Sequence, residues 1–229
     1  IGNPRAKRII DIGAGSGSFL KKLISCSPQN EFAALDIVEN KECKNLQGVE
    51  YRIFDGKILP VGLGKWDVVI LMHVLYHVPK LKPFLNQIRS MLRSPGSVLI
   101  STKSRNTLAG LETVFQKIKS IRFRNLQLPR HRDEAHFCSE NGLRILRGSF
   151  NHQQYLIDEY PVETQIIVDN YPELIRYVLS TPRYNPRTYG LTINEDEYVK
   201  LWESELKSKR LYVDMVKEML YVITENSRV

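Results

Sequence analysis

Apolar residues through the first hundred positions come in short runs, and each run gives way to a stretch with helical spacing. "KRIIDIG" (7–13) predicts a buried strand. "SGSFLKKLISC" (16–26) predicts an amphipathic helix with Phe19, Leu20, Leu23 and Ile24 on one side. "EFAALDI" (31–37) predicts a second strand, and "VEYRIFD" (49–55) a third with period-two alternation. "KWDVVILMHVL" (65–75) is nearly all apolar, as a central parallel strand buried on both faces should be. "LKPFLNQIRSMLR" (81–93) is helical, and Pro95-Gly96 punctuates it before "SVLISTK" (97–103), a fifth strand. Alternation of this kind implies a parallel sheet with right-handed crossovers and helices on both faces.

After Lys103 the rhythm changes. "TLAGLETVFQKIKSI" (107–121) predicts a helix, and "HRDEAHFCSENG" (131–142) a short one stopped at Asn141-Gly142. "LRILRGSFNHQQYLIDEY" (143–160) is strand-like, residues 161–217 read as helices broken at Pro172, Pro182 and Pro186, and "EMLYVIT" (218–224) suits a closing strand. The expectation is a single α/β domain over 1–229. Its sheet is doubly wound, mostly parallel and seven-stranded, with a helical, basic insertion at 104–140 and a helical insertion at 161–217 before the last strand. Nine of the eleven tyrosines fall within 155–221; packing of that insertion is the plainer use for them, a pocket for an aromatic ligand the sharper one.

Composition narrows the setting. A chain of 229 residues with 42 % hydrophobic content can bury a sizeable core. Its three cysteines, Cys26, Cys43 and Cys138, are widely separated and form no C-x-x-C pair, which argues for a reducing, cytoplasmic setting and against zinc or a disulfide framework. No apolar stretch reaches membrane-spanning length and none ahead of the first strand resembles a signal peptide. The chain starts with Ile rather than Met, which leaves room for native residues ahead of it. The net charge of +8 is carried by the first 157 residues, and the rest is net acidic. The densest basic stretch, "KIKSIRFRNLQLPRHR" (117–132), is either a solvated helix face and loop or a lip that attracts an anionic substrate or a nucleic-acid backbone.

The sharpest chemistry lies at "DIGAGSG". Gly13, Gly15 and Gly17 open a helix whose N-terminus offers free N–H groups and a positive dipole. A dinucleotide would place its pyrophosphate there and wants the third glycine one position later, where this chain has Ser18. Asp11 would repel a pyrophosphate and attract a cationic ligand.

With these residues the sequence resembles the class I S-adenosylmethionine-dependent methyltransferases of the small-molecule branch, over roughly the first hundred positions. That resemblance implies a Rossmann-like fold and S-adenosyl-L-methionine as cofactor, with S-adenosyl-L-homocysteine as product. It implies that Asp11 orients the ammonium end while Gly13, Ala14, Gly15 and Gly17 let the backbone pass close by. Asp36, at the end of the second strand and followed by Ile37, matches the family's acid for the ribose hydroxyls. Asp55 in "FDGKILP" matches the acid for the adenine amino group, flanked by Phe54 and Gly56. "WDVVILMHVLYHVPKL" resembles the fourth-strand signature and adds Met72 and His73 to the cofactor wall. "LRSPGSVLIS" resembles the turn into strand five, with Ser97 in place of the usual second glycine.

Methyl transfer needs in-line alignment, and a hydroxyl or ammonium acceptor must also lose a proton to a nearby base. The candidates are His73 and His77 at the C-terminal end of the fourth strand; for each, packing is the competing use, most of all for His77. Tyr76 could touch either, Glu134 and His136 could reach the pocket, and His131 and His152 read as surface histidines. The chain lacks an N-P-P-Y motif after strand four, a cysteine beside proline and an acid after strand four, so the resemblance implies a metal-free enzyme acting on oxygen, nitrogen or carbon of a small molecule, anionic or aromatic. Only eight residues precede "IIDIG", where the family commonly has helices over the cofactor; either the native chain is longer or the insertions after strand five and before the last strand do that job, and on the second option 161–217 is expected to act as the acceptor lid. Two alternatives stay open: an RNA methyltransferase, favoured by the basic stretch, and a non-catalytic binding partner that keeps the cofactor pocket. No membrane partner is expected, and nothing in the sequence bears on oligomeric state.

Overall fold

The structure is a computed structural model that describes residues 5–122, 136–181, 184, 185, 187, 194–206 and 212–226. In chain order its elements are β1 (Arg8–Ile12), α1 (Ser18–Cys26), β2 (Glu31–Asp36), α2 (Lys41–Lys44), β3 (Val49–Ile53) and β4 (Trp66–Met72). A 3-10 turn (Leu75–His77), α3 (Leu81–Met91), β5 (Leu92–Lys103) and α4 (Ala109–Arg122) follow. The last elements are α5 (Ser139–Arg147), β6 (Tyr155–Val168), α6 (Tyr171–Ser180), α7 (Glu195–Leu206) and β7 (Tyr212–Glu225). By contact the chain divides into two compact units, one of Ile1–Arg105, Asp133–Val162 and Glu218–Val229, the other of Asn106–Arg132 and Glu163–Lys217.

The seven strands lie in the order β3-β2-β1-β4-β5-β7-β6. β1 to β5 pair in parallel and β7 runs antiparallel to β5, so the sheet is mixed and mostly parallel, in the Rossmann-like manner. The chain winds outward from β1 to β3 and then returns to place β4 on the other side of β1. That reversal is where an open α/β sheet leaves a crevice at the carboxyl ends of its strands.

Side chains alternate across the first unit's strands. Ile10 and Ile12 share a face with Ala33, Leu35, Val69 and Leu71, covered by Phe84, Leu85 and Ile88 of α3 and Leu146 of α5. Ile9 lies on the opposite face with Phe32, Ala34 and Ile70, covered by Leu20 of α1 and Cys43 of α2. The period of two therefore turns Asp11 towards the face that carries α1, where its register neighbours are Ala34 and Ile70.

The second unit has its own core. Leu111, Phe115 and Ile118 of α4 pack with Leu174, Ile175 and Val178 of α6 and with Tyr198, Trp202 and Leu206 of α7. Phe115 stacks on Trp202 at 6.4 Å, and Tyr184 and Tyr198 meet the same indole edge-on, so this part of the tyrosine-rich region is spent on packing. Buried Asp214 accepts from Leu111 N at 2.8 Å and from Tyr212 Oη at 2.6 Å, closing the N-terminus of α4.

Three expectations change. Residues 143–147 belong to α5 rather than to a strand, β6 runs on to Val168, and β7 begins at Tyr212. The Asn141-Gly142 pair lies inside α5 because Gly142 packs against Tyr221: a Cβ there would meet the Tyr221 ring 2.8 Å away. The glycine is kept for clearance and does not stop the helix. Of the basic stretch 117–132, residues 123–132 lie outside the described residues, as does Glu134. No helix among the described residues is long and apolar enough to cross a membrane.

Gly142→Ala gains about 1 kcal/mol of helix propensity but forces a methyl against a wholly buried ring whose hydroxyl is tied to Ser139 O. We expect a net loss of about 1–2 kcal/mol, seen as a lower urea midpoint with an unchanged slope. A midpoint that stays or rises would show that Tyr221 yields freely.

Candidate active site

Where β1 ends, Gly13 N and Ala14 N both donate to Leu35 O, at 2.7 and 3.2 Å, bending the chain over the tip of β2. Gly13 has φ +78, and a Cβ there would overlap Val74 Cγ2, so the turn closes only without a side chain. Gly15, at φ +54, has nothing within 4 Å of where its Cβ would be; its bare backbone borders open space. Gly17 is the N-cap of α1 and offers no side-chain cap to the first turn.

The three acids lie along the carboxyl edge of the sheet, each with a different set of donors. Asp36, the last residue of β2, accepts from Gly15 N through Oδ2 and from Ile37 N through Oδ1, both at 2.7 Å. Asp55, in the loop after β3, accepts from Ile58 N and Lys57 N at 2.9 and 2.8 Å, and these backbone donors hold its exposed carboxyl below the usual range. Asp11 is only 3 % exposed, and its Oδ1 has no hydrogen-bond partner among the described residues. Burial first, then the neighbouring charge of Asp36, push its pKa up to about 7.

A cavity of about 580 Å³ opens beside them. It is lined by Gly13, Asp36, Ile37, Phe54, Asp55, Gly56 and Lys57 and by His73, Val74, His77, Val78 and Pro79 of the segment after β4. Asp11, Ala14, Gly15, Gly17 and Met72 do not line it; Met72 ends β4 and packs with the α1-side cluster.

His73 follows β4 directly and holds φ +58, a conformation that costs a non-glycine residue about 1–3 kcal/mol. Its N–H is engaged by Ser101 of β5, at 3.2 Å to the carbonyl oxygen and 3.1 Å to Oγ. Its Nε2 is 3.4 Å from Glu218 Oε1, while Nδ1 is buried and without a partner among the described residues. Burial lowers the imidazole pKa, Glu218 opposes that shift and Lys103 adds to it. His77 sits in the 3-10 turn with its ring 4.4 Å from that of Tyr76.

His136, which the sequence offers as a pocket residue, places Nε2 2.9 Å from Val78 O and so braces a wall residue. His152 is exposed, and His131 and Glu134 fall outside the described residues. Sequence reasoning missed Glu218 and Val74. Val74 carried a faint signal, as the residue after His73 in the fourth-strand signature; Glu218 carried none.

Asp11 has a measurable consequence. Its folded pKa lies above that of an ordinary carboxylate, so its contribution to stability is complete below the ordinary range and lost as pH rises through about 7. Asp11→Asn should flatten that segment of the curve and stabilise the ligand-free protein at neutral pH by about 2–4 kcal/mol, measured by denaturant titration between acid and neutral pH. Equal slopes for both proteins would remove the buried-charge interpretation.

Residues 1–147 match the family model described as "Methyltransferase domain". The ubiquinone biosynthesis O-methyltransferase of Coxiella burnetii (strain RSA 331) is 22% identical over 176 residues, covering 72% of this chain and 75% of that protein. The enzyme of the same name from Burkholderia thailandensis is 25% identical over 152 residues, covering 61% and 66%. Among solved structures, the plantazolicin methyltransferase BamL, in complex with a desmethyl analogue and S-adenosylhomocysteine, aligns with a TM-score of 0.57 at 15% identity, covering 98% of this chain and 79% of that one. The YcgJ protein of Bacillus subtilis aligns at 0.53 with 12% identity, covering 97% and 93%. The family match spans more than half of the chain and contains the glycine turn, all three acids and the histidine wall: the chain belongs to the methyltransferase-domain family and has the class I fold of S-adenosylmethionine-dependent methyltransferases.

Proposed function

We propose that the protein transfers the methyl group of S-adenosylmethionine to a hydroxyl oxygen of a small molecule. The observation that carries the cofactor assignment is Asp11, a buried carboxylate with one oxygen that has no partner among the described residues and with Asp36 close enough to raise its pKa. Two acids so placed favour a positively charged ligand at the glycine turn and disfavour a pyrophosphate. Bound there, S-adenosylmethionine supplies a methyl carbon on a positive sulfur, open to displacement by a nucleophile.

The residues available to hold it fit that ligand. Asp36 accepts from Gly15 N through Oδ2 and from Ile37 N and, at 3.4 Å, Val38 N through Oδ1, which leaves Oδ2 an acceptor site for a ribose hydroxyl. Ile37, Phe54 and Gly56 offer an apolar slot for a flat base, with Asp55 as acceptor at its edge. Gly13, Ala14, Gly15 and Gly17 would pass the backbone along the amino-acid end, beside Asp11. Holding the nucleophile in line with the methyl carbon is worth about 7–11 kcal/mol of barrier. His73 in the cavity lining takes the hydroxyl proton, and His77 shapes that lining with Tyr76.

The hydroxyl acceptor is supported by the names of the sequence relatives, which are O-methyltransferases of ubiquinone biosynthesis. A cytoplasmic setting belongs to the same reading and agrees with three free cysteines. Calorimetry should show S-adenosylhomocysteine binding that Asp36→Ala weakens by about ten- to a hundredfold. Methyl-labelled cofactor incubated with a metabolite extract should label a compound as an O-methyl ether. Wild-type protein that gives no heat with S-adenosylhomocysteine would overturn the cofactor assignment, and a label on nitrogen or carbon would overturn the hydroxyl acceptor.

A further inference from the structure

Three acidic groups from three elements meet behind the glycine turn, and among the described residues no cation joins them. Asp11 comes from β1, Asp36 from the end of β2 and Cys43 from α2. On the face that carries Asp11, β2 adds Ala34, β4 adds Ile70 and α1 adds Leu20, all apolar, while Lys21 and Lys22 of α1 are exposed. The one charge that bears on Asp11 among the described residues is that of Asp36. Cys43 Sγ lies 2.9 Å from where a Cβ of Gly17 would be. Burial, then Asp11 and Asp36, push this thiol up, so it stays neutral and relieves neither acid.

The two carboxylates are unequally placed. Asp36 accepts from the Gly15, Ile37 and Val38 amides and lines the cavity. Asp11 lies behind it, 3 % exposed, with no donor for Oδ1 among the described residues. A pair built this way takes up one proton more readily than it carries two charges, and the proton falls on the deeper member. A positive charge placed beside Asp36 and Gly13 reverses that preference. It acts on Asp11 through apolar surroundings, so the two need not touch.

We infer that cofactor binding is proton-coupled: the ligand-free protein holds a proton on Asp11, and the positive end of the cofactor, entering beside Asp36, displaces it to solvent. This rests on the cofactor assignment above and deepens it. The sign follows from the proton count. The ligand-free protein carries the proton and the loaded protein does not, so affinity rises with pH, by up to about tenfold per pH unit. The rise spans the interval between the loaded and ligand-free titrations of Asp11 and levels off above the second, at about 7. His73 also lines the cavity, but burial lowers its pKa, so a proton that a cation displaces from it leaves at lower pH.

The test titrates the full chain with S-adenosylhomocysteine in a calorimeter, using buffers of different ionisation enthalpy to count the protons released. The range from about pH 5.5 to 7.5 lies below that in which an α-amino group ordinarily titrates. Near pH 6 wild type should release about one proton per site, and its affinity should rise about tenfold between pH 5.5 and 7. Asp11→Asn should lose most of both effects, and His73→Asn should keep both. A second readout needs no variant to bind ligand. In protein labelled with carbon-13 aspartate, the Asp11 carboxyl, assigned by its loss in Asp11→Asn, should titrate at least about one pH unit lower with S-adenosylhomocysteine than without it. Binding with no proton released, a release unchanged in Asp11→Asn, or an Asp11 midpoint unmoved by ligand overturns the proton coupling and leaves the cofactor assignment standing. Wild type that binds no S-adenosylhomocysteine overturns the assignment itself.

Discussion

Two carboxylates that cannot comfortably both be charged govern this cleft. Asp36 accepts from the Gly15, Ile37 and Val38 amides at the open end of β2. Asp11 sits deeper, one strand over, with no such donor for Oδ1, and the burden of the pair falls on it. The strain is built into the sheet: period-two alternation points Asp11 towards α1, and the reversal of strand order between β1 and β4 opens the crevice beside it. Perturbed carboxylates of this kind cluster where a ligand binds.

The glycine turn follows from the same constraint. To bring Gly15 N onto Asp36, the backbone must double back over Leu35 O within two residues of Asp11. Gly13 allows that bend because Val74, in the segment after β4, occupies the place of its side chain. Val74 also lines the cavity, so the residue that demands a glycine is its neighbour in the lining. Glycine turn and histidine wall are therefore one packed unit, and a change in either moves both.

The first half of this arrangement was legible in the sequence, for a physical reason. Strands such as Trp66–Met72 are covered on both faces and read as unbroken apolar runs, and the acids that close them interrupt those runs at fixed intervals. The later strands give no such signal. β6 is exposed along most of its length on both faces, so neither alternation nor continuous hydrophobicity marks where it begins and ends. In 139–147 local residues such as Leu143, Ile145 and Leu146 suit strand or helix alike, and Gly142 looked like a stop because its reason, the ring of Tyr221, lies far along the chain. Asp11, Asp36 and Asp55 could be found by spacing from a motif. Glu218 is brought to His73 only by the register of an antiparallel pair, which no local pattern encodes.

The acids and the histidine divide the electrostatic work. Asp11 and Asp36 suit a ligand that arrives with positive charge, and such a charge in the cavity would disfavour a proton on His73, adding to burial and to Lys103. In the transfer proposed above, the positive charge would leave sulfur as the acceptor's proton is taken up, so the net charge in the cavity would not change and only its position would. Fixed carboxylates beside the glycine turn would allow that displacement with little reorganisation of water, which is how preorganised charge lowers a barrier.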